Sequence, residues 1–190
     1  MKVLRALGIC AMFASLQVNA AVIHSYANKA TFLSETSATS LGTLGLSGSG
    51  QTSFTSGIAT FSVQPSFSNS FHRTVDWVPG TPGNDFALNG QESFDISLTS
   101  GVRALGFDFH ESGASGWTTS NFTLFLQSGG ATFGTIAFTG VLDTTTFMGF
   151  YSTTLIDQVF VREDVPNLDN EYLGNFVVGT TVGARVDIGD

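Results

Sequence analysis

Asp108 and Glu111 flank Phe109-His110, a short distance before Trp117. Two carboxylates about 5–9 Å apart beside an aromatic ring are what a glycosidase needs, one as acid and one as nucleophile or base. Residues on one face of a strand are two apart, so a spacing of three shares a face only across a bulge. The pair therefore reads as an outward Asp and a turn Glu that touch a ligand, rather than as a catalytic couple. Other chemistry is weaker. Ser115 in Gly113-Ala-Ser-Gly-Trp117 and Ser47 in Gly45-Leu-Ser-Gly-Ser49 lack the second Gly of a nucleophile elbow. His24, His72 and His110 are scattered, with no zinc-type spacing.

The densest polar stretch is Glu163-Asp-Val-Pro-Asn-Leu-Asp-Asn-Glu171. Calcium takes six to eight oxygens, and a Pro/Asn loop offers carboxylates, amides and carbonyls together. Asp164, Asn167, Asp169 and Glu171 are the expected ligands of a structural Ca²⁺. Tyr172 stands where an EF-hand requires Gly, so the loop is not an EF-hand. Sugar binding would use flat rings stacked on apolar sugar faces. Trp117, in a Gly/Ser loop, leads the candidates, followed by Trp77 beside Asp76 and then Tyr151.

Period-two patterns supply the framework for these residues. Phe94-Ile96-Leu98, Leu105-Phe107-Phe109, Phe122-Leu124-Leu126, Ala59-Phe61-Val63 and Leu155 to Val161 alternate apolar with polar positions. Such alternation marks strands with one buried face. Turn signals recur between the runs, at Pro79-Gly80, Asn89-Gly90, Ser100-Gly101 and Gly129-Gly130. The fold class is all-β: an antiparallel two-sheet β-sandwich, jelly-roll-like, with one short helix over Tyr26 to Glu35. Thr36 to Gly57 reads as a loop carrying a weak strand at Leu41 to Leu46. Val182 to Ile188 alternates again as a last strand.

Lys2 and Arg5, the apolar run Ala6 to Leu16 and Val18-Asn19-Ala20 form a secretory signal peptide, with cleavage expected between Ala20 and Ala21. Residues 21–190 are then a single domain without cysteine, since Cys10 leaves with the leader. A secreted chain of this length without disulfides suggests a bacterial extracellular or cell-surface protein. Removing Lys2 and Arg5 leaves five basic residues against 15 acidic ones, a formal charge of −10. Such a surface repels phosphate backbones, so nucleic acid is excluded as a partner.

Four stretches resemble a known family: Tyr26-Ala-Asn-Lys-Ala-Thr-Phe-Leu33, Gly101-Val-Arg-Ala-Leu-Gly-Phe-Asp-Phe109, Phe147-Met-Gly-Phe-Tyr-Ser152 and Tyr172-Leu-Gly-Asn-Phe-Val-Val-Gly179. In that order they resemble the ectodomains of secreted bacterial PEP-CTERM proteins, the exosortase substrates. The resemblance implies a jelly-roll-like sandwich at the cell surface, linked with exopolysaccharide and biofilm matrix. The chain departs from the pattern in two places. It ends at Asp190 without the Pro-Glu-Pro sorting signal, and Gly174-Asn175 replaces the usual Asp-Asn. The expected function is a secreted, non-enzymatic surface or matrix module that binds polysaccharide. The alternatives are a small glycan-active hydrolase using Asp108 and Glu111, or a purely structural, self-assembling matrix protein.

Overall fold

The computed structural model describes residues 20–64, 69–74, 78, 85–88, 91–113, 119–164 and 171–180. The leader and the run Val182 to Ile188 lie outside the described residues. Two long strands organise the rest: β8 (Phe94–Glu111) and β11 (Thr144–Glu163). They pair antiparallel along both lengths, with Phe94 opposite Val161 at one end and Glu111 opposite Thr144 at the other. The ladder is irregular between Tyr151 and Gln158, and there both strands pass from one sheet to the other. Ser100-Gly101, expected to be a turn, lies at this bend inside the continuous β8.

One sheet runs β10 (Ala131–Thr139), β9 (Asn121–Ser128), the C-terminal half of β11, the N-terminal half of β8, β5 (Ala59–Val63) and β4 (Ser53–Ser56). The other runs β1 (Ile23–Tyr26), the N-terminal half of β11, the C-terminal half of β8, β12 (Glu171–Gly179), β7 (Asp85–Leu88), β6 (Phe71–Thr74) and β3 (Ser49–Gln51). A two-residue strand, β2 (Thr39–Ser40), pairs with the far end of β12. The β9–β10 hairpin closes on Gly129-Gly130, whose φ values of 58° and 80° suit a type I′ turn that most side chains resist.

The alternating residues fill the space between the sheets with phenylalanine. Phe54 and Phe61 of the first sheet meet Phe71 and Phe86 of the second, and Phe109 meets Phe122 edge-on at 5.3 Å. Edge-to-face rings suit the aromatic quadrupole. The expected weak strand at Leu41 to Leu46 is absent. That stretch is irregular, yet Leu41, Leu44 and Leu46 are buried in the same core. Gly42 at φ 85° turns the backbone, and the Gly45 amide donates to the Thr55 carbonyl, so the leucines plug the sandwich without joining a ladder.

The helix, α1 (Lys29–Thr36), is capped at its start by the Asn28 side chain, which accepts from the Thr31 amide. It lies on the outer face of the second sheet, where Phe32 packs with Phe147, Tyr151, Ala104 and Val177. Beside it, burial pushes the Tyr26 hydroxyl up to about 12 from an ordinary 10.0, helped by a hydrogen bond to Glu35. A pKa raised by folding contributes stability below about pH 10 and loses it as pH climbs through about 12. Melting temperature should therefore fall across that window, and Tyr26→Phe should flatten the fall. Parallel pH profiles for the two proteins would show that the phenol does not report on folding. No helix among the described residues is long and apolar enough to cross a membrane.

Candidate functional site

Strand alternation separates the two carboxylates of interest. Phe107 and Phe109 point into the core, so Asp108 and His110 face outward and Glu111 faces inward. Asp108 and Glu111 stand on opposite faces of one sheet and cannot act on one bond as acid and base. The hydrolase alternative built on this pair fails for that reason.

Asp108 lies on the outer side of the sheet and is itself buried beneath its partners. Its Oδ2 pairs with Lys29 Nζ at 2.6 Å and accepts from Asn175 Nδ2 at 2.6 Å. α1 delivers the lysine, whose Nζ also lies 5.8 Å from the Phe147 ring centroid. Asn175 reaches the carboxylate because β12 bulges between Gly174 and Val177, with Asn175 itself in the left-handed region at φ 52°. One step along the sheet, Thr145, His110 and Tyr172 form a cross-strand row. His110 Nδ1 and Thr145 Oγ1 lie 2.9 Å apart, and the His110 ring is tilted 6.2 Å from Tyr172. Burial, and then the charges of Asp85 and Glu171, raise the Tyr172 hydroxyl above its usual range. Val78 and Ala87 pack against that ring. The result is a polar floor, with α1 on one side and Val78 on the other.

Tyr151 faces α1 on the outer side of the sheet, and at 4% exposure it belongs to the cluster beneath the helix. It offers no ligand platform. Trp117 and Trp77 lie outside the described residues.

Glu111 is fully buried rather than in a solvated turn. Because β8 and β11 bend in the middle, the two ends of their shared ladder come together at one end of the sandwich. Glu92 and Glu163 arrive there from the first sheet, Glu111 and Glu171 from the second. All four are buried. Glu163 Oε2 accepts from the Glu92 amide at 3.0 Å, and the Glu163 amide donates to Ser93 Oγ at 3.1 Å. Glu111 and Glu171 share Ser120: its amide donates to Glu111 Oε2 at 3.4 Å, and its hydroxyl lies between the two carboxyls. Gly140 completes the packing, since a Cβ there would meet Glu111 Oε2 at 2.0 Å. Burial, reinforced by the charges and hydrogen bonds of Glu171 and Glu163, pushes the Glu92 carboxyl up to about 12.

Of the two expected calcium ligands among the described residues, Glu171 enters this cluster and Asp164 does not. Asp164 is exposed and accepts from Thr123 Oγ1 at 3.2 Å. Asn167 and Asp169 lie outside the described residues. Within the loop expected to ligate over 163–171, Glu163 and Glu171 turn inward, whereas Asp164 turns out. Glu92 and Glu163 were missed as site residues, although the sequence holds a signal for Glu163. Val159-Val161-Glu163 continues an inward period, as do Phe107-Phe109-Glu111 and Glu171-Leu173. A carboxylate at an inward position of an apolar alternation demands a partner.

No family model and no curated protein matches the sequence. Solved structures with some likeness include a point variant of a family 29 carbohydrate-binding module, at 14% identity and a TM-score of 0.40, covering 80% of this chain and 97% of that one. A second variant of that module, complexed with mannohexaose, has 16% identity and a TM-score of 0.40, covering 80% of this chain and 98% of that one. The enzymatically active domain of tailspike protein 4 from bacteriophage CBA120 has 13% identity and a TM-score of 0.37, covering 71% of this chain and 20% of that one. Likeness at this level bears on neither ligand nor activity.

Proposed function

We propose that this chain is a secreted, non-enzymatic β-sandwich module of the PEP-CTERM ectodomain type that binds extracellular polysaccharide on the outer face of its second sheet. The observation that carries this reading is the outward row centred on Asp108. A carboxylate there is held in place by Lys29 and Asn175, with His110 and Thr145 one step along the sheet. Sugar hydroxyls are paired donors and acceptors, and a fixed carboxylate beside amide, imidazole and hydroxyl groups matches them. The separation of Asp108 from Glu111 supports binding over hydrolysis. The basic, apolar and small-residue leader supports export, and the acidic surface favours a neutral polymer over a polyanion.

A glycan array read together with a reducing-sugar assay tests the proposal. Retention on at least one polysaccharide is expected, with no release of reducing ends. Asp108→Asn keeps the volume but removes the charge that holds Lys29. It should weaken retention about tenfold or more, equivalent to at least about 1.4 kcal/mol, with the fold retained by circular dichroism. New reducing ends would make the chain a hydrolase. No retention on any glycan would favour a purely structural role.

A further inference from the structure

Four carboxylates meet inside one apolar sandwich. Glu92, Glu163 and Glu171 each bring a carboxylate oxygen into a group in which all three lie within 4.8 Å of one another. A second observation is independent of their proximity. Glu92 is 1% exposed, and its Oε2 has no hydrogen-bond partner. A buried carboxylate oxygen left without a donor is costly, and native interiors seldom keep one unless something else engages it.

We propose that Glu92, Glu163 and Glu171 ligate one Ca²⁺ ion that ties the two sheets together at this end of the sandwich. Glu111 and Ser120 stand behind them and fix the orientation of Glu171. The donor chemistry selects the ion. Every side-chain ligand is a hard carboxylate oxygen, with no histidine or cysteine in the group, which disfavours zinc. Calcium binds oxygen at 2.3–2.6 Å, so oxygens of one shell lie at most about 5 Å apart, and this trio fits inside that sphere. Three carboxylates also exceed what one Mg²⁺ usually draws from a protein, because Mg²⁺ keeps several of its waters. Bidentate carboxylates and water complete the calcium shell.

The geometry gives the ion a mechanical role. Glu163 is the last residue of β11 and Glu92 precedes β8 in the first sheet, whereas Glu171 opens β12 in the second. An ion held by all three connects the two sheets at this end, where Ser120 also bonds to Glu111 and Glu171. Because it binds only the folded arrangement, it stabilises by mass action.

The test uses the full secreted chain, stripped with chelator and exchanged into chelator-free buffer at pH 7. Calcium titration should give one site by calorimetry. At a hundredfold excess over Kd, the melting temperature should rise by roughly 5–10 °C. Mg²⁺ at the same concentration should give a far smaller rise. Glu92→Gln preserves volume and should abolish the calcium-dependent rise, while melting higher than the wild type in chelator because it removes an acid from a crowded acidic site. Glu163→Gln should lose the response as well, and Asp164→Ala should retain it. Identical wild-type melting curves in calcium and chelator, with no binding heat, would overturn the proposal. So would an equal response to Mg²⁺. A response kept by Glu92→Gln and lost by Asp164→Ala would place the ion on the surface loop and overturn it too. Because the readouts are thermal and calorimetric, their failure is separate from any failure of polysaccharide binding.

Discussion

Replacing Phe86 with Ala is expected to cost about 3–5 kcal/mol, the range for deleting a fully buried Phe. For a domain of this size that is a fall of roughly 6–20 °C in melting temperature. Phe86 has no exposed surface and lies between the two sheets. Its ring meets Phe54, Phe71 and Phe94 edge-on at 5.3–5.6 Å, and runs parallel to Phe176 at 5.8 Å. Its neighbours are rigid aromatics held by strands on both sides, so the cavity collapses less than one lined by flexible aliphatic chains. Phe160→Ala is the matched control. That ring is on the outer side of β11, half-buried beneath Arg162 at 4.8 Å, and its loss should cost less than about 1 kcal/mol. Thermal melts of the three proteins decide the matter. A Phe86 variant that melts within a degree or two of wild type would mean that the aromatic core is not packed as described.

The period-two signal made this core legible, because a Phe at alternate positions has few alternatives to an inward strand face. It also located the outward position of Asp108. Two features were hidden by chain separation. The bend that folds one β8–β11 ladder into two sheets leaves no local mark, so Ser100-Gly101 read as a turn. The meeting of Glu92 with Glu163 and Glu171 depends on that bend and joins residues more than 70 positions apart. Glu111 was visible as the next inward position after Phe109, but its charge made a solvated turn the simpler reading. Tyr151 shows the reverse error. It was a candidate ring for stacking on sugar, and the docking of α1 on its face, a tertiary event, buried it.

Gly149→Ala should destabilise the protein by about 2–3 kcal/mol and also disable the proposed binding face, although Gly149 makes no contact with Asp108's carboxylate. Gly149 pairs directly with Gly106 across β8 and β11, and the Phe147 ring lies over both glycines. A Cβ on Gly149 would come within 2.6 Å of Phe147 Cε1 and 2.8 Å of Phe32 Cδ2. Neither ring can step aside cheaply, since they pack against each other at 5.3 Å with Phe32 fully buried. The least costly relief is for α1 to lift from the sheet, within the usual cost of overpacking a core. Lifting α1 carries Lys29 away from both Asp108 and the Phe147 ring, so the carboxylate loses its fixed orientation. Polysaccharide retention should therefore fall as far as in Asp108→Asn, and the double variant should bind no worse than either single one, since both break the same arrangement. Gly48→Ala provides the control: a Cβ there meets nothing within 4 Å, and stability should stay within about 0.5 kcal/mol of wild type. If Gly149→Ala melts like wild type, Phe147 has room to move and the helix does not depend on the glycine pair. If it melts low yet still binds fully, the Lys29–Asp108 arrangement is not where polysaccharide is held.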